Sequence, residues 1–243
     1  MKLASIMPVA GVDLIASDYH FCFAELANRW VDYADYYRNA PGIVIMDTMV
    51  FEHRGPITLR SWLNAIDAVR PTVAITPDVL GNAEATKANY RFYKQFTETP
   101  LMAVAQGHDF ATFVECFEYF IERNDWVALP VQIPARRKER FALLEVLGKS
   151  GLPSNNKIHL LGASSDSLTL EQTVRNLPFV QGLDTTKPIA AALNHFEMPD
   201  CNGNPTASDR AHDFFETSRG MCLAERGKMQ RNVDYMRSLI CSA

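Results

Sequence analysis

Four apolar runs in this chain end on a polar group able to do chemistry. GIVIMD closes on Asp47, TVAITPD on Asp78, LMAVAQ on Gln106 and FVQGLD on Asp184. Two carboxylates across a site suit glycosyl transfer. One attacks the anomeric carbon and carries a covalent glycosyl intermediate; the other moves the proton of the departing or arriving group. A further Asp beside a carboxamide can read a purine-like edge: the carboxylate accepts from ring N–H and exocyclic amine, and the amide both donates and accepts. A buried base needs such partners, since each unmatched polar group costs roughly 1–3 kcal/mol. The same inventory serves other carboxylate chemistries, including metal-dependent isomerase and hydrolase sites.

These groups need strands to hold them. Runs of Val, Ile, Leu, Ala and Met of this kind suit strands buried on both faces. In parallel α/β sheets and barrels the reactive groups gather at the carboxyl ends of the strands, so the four ends define one site. Strand-like segments at 5–12, 42–47, 72–78, 101–106, 126–131, 157–163 and 179–184 alternate with helix-like ones, the first of them at 19–37. Asn82 and Asp109 are the expected N-caps of two of these helices. Ala85, Ala88, Phe92 and Phe96 form the expected buried stripe of the first, and Phe110, Phe113, Val114, Phe117 and Ile121 that of the second. Pro188 helps to start a short helix after the last strand.

Seven strands are legible and an eighth is not. After His195 the chain runs through EMPDCNGNP into a helical pattern over 208–241. The expected fold is α/β: a (β/α)8 TIM-like barrel with a short or irregular last unit, in one domain over residues 1–243. A doubly wound open sheet is the weaker reading, because no Gly-rich phosphate loop follows a strand.

The composition, with 47% hydrophobic and 21% charged residues, is that of an ordinary globular protein. No apolar run is long enough to span a membrane, and the start MKLASIMPVAG does not read as a signal peptide. Five scattered cysteines fit reduced thiols, so a cytoplasmic location, in a bacterium or an infected host cell, is the expectation. Cys201 with His195, His212 and Cys222 is the one arrangement to weigh as a metal site, and it lacks closely paired ligands. The net charge of −4 argues against a protein that coats nucleic acid non-specifically. Two local basic stretches remain: Arg136, Arg137, Lys138 and Arg140, and Arg219, Arg226, Lys228 and Arg231. Each reads either as a phosphate-binding strip or as a solvated helix face.

The order and flanks of these segments resemble those of the queuine and archaeosine tRNA-guanine transglycosylase superfamily, including its phage and bacterial relatives that insert 7-deazaguanines into DNA. IMDTMVFE resembles the family segment in which a strand ends in Asp before a Ser-Gly-Gly-Phe-Gln-like stretch. TPDVLGNAEATKANYRF is similar to the base-binding Asp and its helix, and AVAQG to the Val-Gln-Gly motif. IHLLG resembles the strand whose aromatic or His and apolar residue flank the base, and GLDTTKP the segment with the nucleophilic Asp. The resemblance spans residues 43–188. It implies Asp184 as nucleophile and Asp47 in proton transfer. It also implies base contacts from Asp78, Gln106, His159 and Leu161, with no metal or organic cofactor in the chemistry.

There are departures. Thr48, Met49 and Val50 replace the small residues after the first Asp, and Pro130 stands where the family offers backbone donors. The zinc site of three closely spaced Cys and a His is missing, and with it the tRNA-binding extension. The function implied is a pentosyltransferase exchanging guanine in a polynucleotide, DNA in preference to tRNA, for a 7-deazaguanine. Arg136, Arg137 and Lys138 would line the rim that the polynucleotide crosses. The acidic net charge leaves room for a homodimer or a protein partner, and no membrane is involved. The alternatives are a base-binding barrel that has lost turnover and a nucleoside or glycoside hydrolase. At single positions plainer roles compete: helix capping for the three Asp, a satisfied core amide for Gln106, and a structural histidine for His159.

Overall fold

The computed structural model describes residues 1–13, 17–50, 57–131, 139–150, 156–163, 169–198, 214–216 and 221–241. Eight strands form one all-parallel sheet. They are β1 (Lys2–Ser5), β2 (His20–Phe23), β3 (Val44–Asp47), β4 (Val73–Ile75), β5 (Leu101–Val104), β6 (Trp126–Pro130), β7 (Lys157–Leu161) and β8 (Val180–Thr185). The hydrogen-bonded order runs β1-β8-β7-β6-β5-β4-β3-β2, which brings the first two strands together as the two edges of a nearly closed barrel. The helices alternate with the strands: α1 (Ala24–Arg29), α2 (Val31–Asn39), α3 (Leu59–Val69), α4 (Ala83–Tyr93), α5 (Phe110–Ile121), α6 (Glu139–Ser150), α7 (Thr169–Val174), α8 (Lys187–Leu193) and α9 (Leu223–Ile240). The (β/α)8 barrel is therefore the fold, and the helix that follows its last strand, α8, is short.

Two sequence expectations need correction. The first strand is Lys2–Ser5 rather than a segment within 5–12, and the strand that sequence reading could not find is His20–Phe23, at the head of the expected helix 19–37. No strand is needed after His195 to complete the eight. The β2 strand runs into α1 without a turn, since Phe23 is itself the extended N-cap of that helix. Its four residues, HFCF, then merge with a helical run rich in Tyr and Ala.

The seam between β1 and β2 is stitched by side chains in place of a full ladder. Asp18 N–H donates to the Leu3 carbonyl (3.1 Å), Leu3 N–H donates to Asp18 Oδ2 (2.9 Å), and Ser5 N–H donates to Ser17 Oγ (3.3 Å). Arg237, near the end of α9, pairs with the other Asp18 oxygen at 3.1 Å. The C-terminal helix thus locks the two edges together. Asp18→Ala takes the acceptor from the Leu3 N–H and one carboxylate from Arg237, which keeps Asp234 at 3.2 Å, and is expected to cost about 1–3 kcal/mol, read as a lowered urea midpoint with an unchanged m-value.

Helix registers follow tertiary partners more than residue size. In α4 the buried residues are Ala83, Thr86, Tyr90 and Tyr93, while Phe92 and Phe96 are 48% and 45% exposed, so the expected Phe stripe faces outward. The tyrosines win the inner face because each hydroxyl has a fixed acceptor: Tyr90 donates to Asn124 Oδ1 (2.6 Å) and Tyr93 to the Ile57 carbonyl (2.9 Å). Phe113, Cys116, Phe117 and Phe120 form the buried face of α5, close to expectation, although Phe110 is partly exposed. Both expected N-caps hold: Asn82 Oδ1 accepts from Ala85 N–H, and Asp109 forms a capping box with Thr112. Among the described residues no helix is long and apolar enough to cross a membrane.

Candidate active site

Side chains alternate along a strand, and parallel partners in register point the same way. The register pairs Ala4 with Asp184, Gly182 with His159, His159 with Ala128, and Phe23 with Asp47. These residues therefore share the inward face of the barrel. Small residues at Ala4, Ala128 and Gly182 leave the interior to the larger polar and aromatic groups opposite them.

Asp184 sits near the carboxyl end of β8. The capping alternative fails for it, because the N-cap of α8 is Thr186 and the carboxylate is engaged elsewhere. Its Oδ1 accepts from His159 Nε2 at 2.8 Å and from the backbone N–H of Gly162 at 3.1 Å. No hydrogen bond reaches Oδ2 among the described residues. Gly162 has φ +71, a region that an L side chain enters only with strain, and this places its N–H at Asp184.

His159 is fully buried and both ring nitrogens are used, Nδ1 by the Tyr19 hydroxyl at 2.9 Å. Phe21 stacks on the ring at 5.6 Å. The expected contact of His159 with a base is therefore replaced by contacts with Tyr19, Phe21 and Asp184. Leu161, also expected to flank a base, is partly exposed at the end of β7, in register with Pro130. The lack of an N–H on Pro130 matters little to the strand end, because the neighbouring donor, Val131 N–H, is already bound to the Leu161 carbonyl at 2.8 Å.

Arg140 departs from its sequence reading. It stands in a run of basic residues that reads as a phosphate-binding strip or a solvated helix face, yet it is 0% exposed. Its guanidinium donates to the carbonyls of Leu129, Leu161 and Gly162 and to Glu171 Oε1. Burial pulls it down to about 10, with the charges of Glu171 and Asp184 opposing that shift. The Leu161 carbonyl it binds belongs to the same peptide unit as the Gly162 N–H that holds Asp184. Donation to one end of a peptide strengthens the donor at the other, so Arg140 supports Asp184 through the backbone. The rest of that strip, Arg136, Arg137 and Lys138, lies outside the described residues, as does Arg219 in the second. In that second stretch Arg231 pairs with Glu197, while Lys228 and Arg226 donate to the carbonyls of His195 and Met221.

On the other side of the barrel Asp78 and Gln106 form a direct pair. Gln106 Nε2 donates to Asp78 Oδ2 at 2.5 Å, and Gln106 Oε1 accepts from Gly81 N–H at 3.0 Å. Helix α4 braces the Asp78 loop: Thr86 bonds both backbone groups of Val79, and Asn89 donates to the Pro77 carbonyl. The amide is thus satisfied within the protein and keeps one N–H for a ligand. Burial pushes the Asp78 carboxyl up to about 6, against the lowering effect of the Gln106 hydrogen bond.

A raised carboxyl means that the folded state binds more protons than the unfolded one between the two pKa values. Stability should then fall as pH rises from about 4 through 6, by roughly 3 kcal/mol in all. Asp78→Asn should remove that slope, measured as urea unfolding against pH. Affinity for a base that donates N–H groups to the carboxylate should move the other way, rising through pH 6.

Asp47 is half-buried at the end of β3, with Oδ1 accepting from Thr48 N–H at 2.6 Å. Strands β1 and β2 stand between it and Asp184, and no direct bond links it to Asp184, Asp78 or Gln106. Met49 has φ 59, a strained conformation for this residue, directly after the carboxylate segment. Thr48, Met49 and Val50, larger than their counterparts in the resembling family, are all buried. Phe23 lies beside Asp47 and packs edge-on against Phe215 at 5.0 Å, which brings the C-terminal part of the chain to the same end of the barrel.

Sequence reasoning missed Tyr19, Arg140 and Gly162 as parts of this site; only the glycine, in LLGA after a strand, carried a local signal. Among the described residues no group of three His, Cys, Asp or Glu side chains is placed to hold a metal ion; Cys201 and His212 lie outside them. Compared with protein-family models and with the curated proteins, the sequence matches none.

Proposed function

We propose that this barrel is a pentosyltransferase that exchanges guanine in a polynucleotide, DNA in preference to tRNA, for a 7-deazaguanine. The observation that carries the reading is the asymmetry of Asp184: one oxygen held by two N–H donors, the other without a hydrogen bond among the described residues, at the strand-end face shared with Asp47 and the Asp78–Gln106 pair.

Asp184 Oδ2 attacks C1′ of the target nucleotide and forms a C–O bond as the C1′–N bond to guanine breaks. The electron pair leaves with the base, which takes a proton from Asp47. The incoming base then loses its ring N–H proton to Asp47 and attacks C1′, and the C1′–Oδ2 pair returns to the Asp184 carboxylate. Asp78 and the remaining Gln106 N–H hold the base. In duplex the target nucleotide must leave the stack, at a cost of a few kcal/mol.

Incubating the protein with DNA and, separately, tRNA in the presence of a labelled 7-deazaguanine tests the reading. Incorporation into DNA above tRNA is expected. Incorporation into neither, with free guanine released, would instead favour a hydrolase, a reading to which the raised carboxyl of Asp78 lends support as a proton donor.

A further inference from the structure

Tyr19 lies at the entry to β2, 140 residues from His159, yet the two are joined at 2.9 Å in the barrel interior. Burial, and then the nearby charge of Asp184, raise the Tyr19 phenol well above its ordinary range, so it keeps its proton. Its one hydroxyl partner among the described residues is His159 Nδ1, so the hydroxyl proton has an acceptor there only when Nδ1 is the unprotonated ring nitrogen. The ring proton is then on Nε2, where it is donated to Asp184 Oδ1 at 2.8 Å. The arrangement is tightly built. A Cβ on Gly182 would lie 2.8 Å from the Tyr19 hydroxyl and 2.6 Å from the Lys2 carbonyl, so this glycine opens the space that Tyr19 fills. Phe21 stacks on one face of the ring, and Tyr19 meets it edge-on at 5.7 Å, so the imidazole is held by a face and by its Nδ1 edge.

We propose that Tyr19 is a positioning residue for the candidate nucleophile, acting through His159: the chain Tyr19 O–H to Nδ1, Nε2–H to Asp184 Oδ1 pins one carboxylate oxygen and presents Oδ2 to the sugar carbon. The inference rests on the transglycosylase reading and deepens it. Donation into Nδ1 polarises the ring and strengthens the Nε2–H bond. The two donors on Oδ1 then matter most when the C1′–Oδ2 bond breaks and a full negative charge returns to the carboxylate. They make Asp184 a good leaving group, which an exchange enzyme needs because its covalent intermediate must be resolved by an incoming base.

The test uses Tyr19→Phe, which keeps the ring and its packing and removes only the hydroxyl. In protein labelled with 15N-histidine, His159 is assigned by its loss in His159→Gln. The wild type should carry the proton on Nε2, with that proton far downfield. In Tyr19→Phe the same resonance should move upfield, and breakdown of the covalent adduct by incoming base should slow about tenfold, the effect of one buried hydrogen bond. Formation of the adduct should change less. A wild-type proton on Nδ1 overturns the proposal without any variant. So does a Tyr19→Phe resonance that does not move, or an adduct lifetime unchanged despite a moved resonance. If the wild type incorporates no base into any polynucleotide, the transferase reading falls, while the resonance still decides whether Tyr19 governs the His159–Asp184 bond.

Discussion

Asp184→Asn is expected to leave the barrel folded and to lower base exchange by at least about four orders of magnitude, the scale on which removal of a nucleophile acts. The substitution discriminates well because of the asymmetry of the carboxylate. Asparagine keeps an Oδ1 that accepts from His159 and Gly162, and replaces only the unpartnered oxygen, by an NH2 group. Stability should therefore change little while attack on C1′ is lost. Denaturing gels of the variant with DNA should show no adduct, and labelled base should not enter DNA. Exchange at wild-type rate in this variant would remove Asp184 as the nucleophile.

The second large effect concerns Arg140. With Arg140 and Glu171 both fully buried, Arg140→Ala leaves a carboxylate without its guanidinium and takes a donor from each of the carbonyls of Leu129, Leu161 and Gly162, of which Leu161 keeps the Val131 N–H. Breaking a buried pair from one side costs roughly 3–5 kcal/mol. A urea titration of Arg140→Ala should show that loss, and Arg140→Met with Glu171→Leu should recover part of it by filling the space with apolar groups. Arg140→Lys should recover little, because an ammonium cannot reach four acceptors in the geometry of a guanidinium. A surface role would show the opposite pattern: stability unchanged and a flatter salt dependence of DNA binding.

The parts of this architecture that were legible in the sequence are those that local patterns encode. Apolar runs ending on Asp47, Asp78, Gln106 and Asp184 mark strand ends to within three residues: β3 ends at Asp47 and β8 at Thr185, while β4 and β5 end at Ile75 and Val104, just short of their polar groups. Asn82, Asp109 and Pro188 mark helix starts through their own backbone chemistry. What stayed hidden depends on distant partners. HFCF is short and leads straight into a helix, so neither length nor turn residues announce it; its pairing with β3 decides it. Arg140 sits in a run of basic residues that reads as solvated, and only Glu171 and three strand-end carbonyls account for its burial. Phe92 and Phe96 are the largest apolar residues of their segment, yet the acceptors waiting for Tyr90 and Tyr93 turn the helix the other way. The Tyr19–His159–Asp184 chain joins β2, β7 and β8, and no spacing in the sequence points to it.

The most direct measurement is to map the covalent intermediate. Wild-type protein is incubated with a guanine-containing DNA oligonucleotide without incoming base, denatured, digested and sequenced by mass. The expected result is a nucleotide-bearing peptide spanning 180–193 with the modification on Asp184, and its disappearance when a 7-deazaguanine is added before denaturation. A modification on Asp47 or Asp78, or no modified peptide under conditions where labelled base enters DNA, would contradict it.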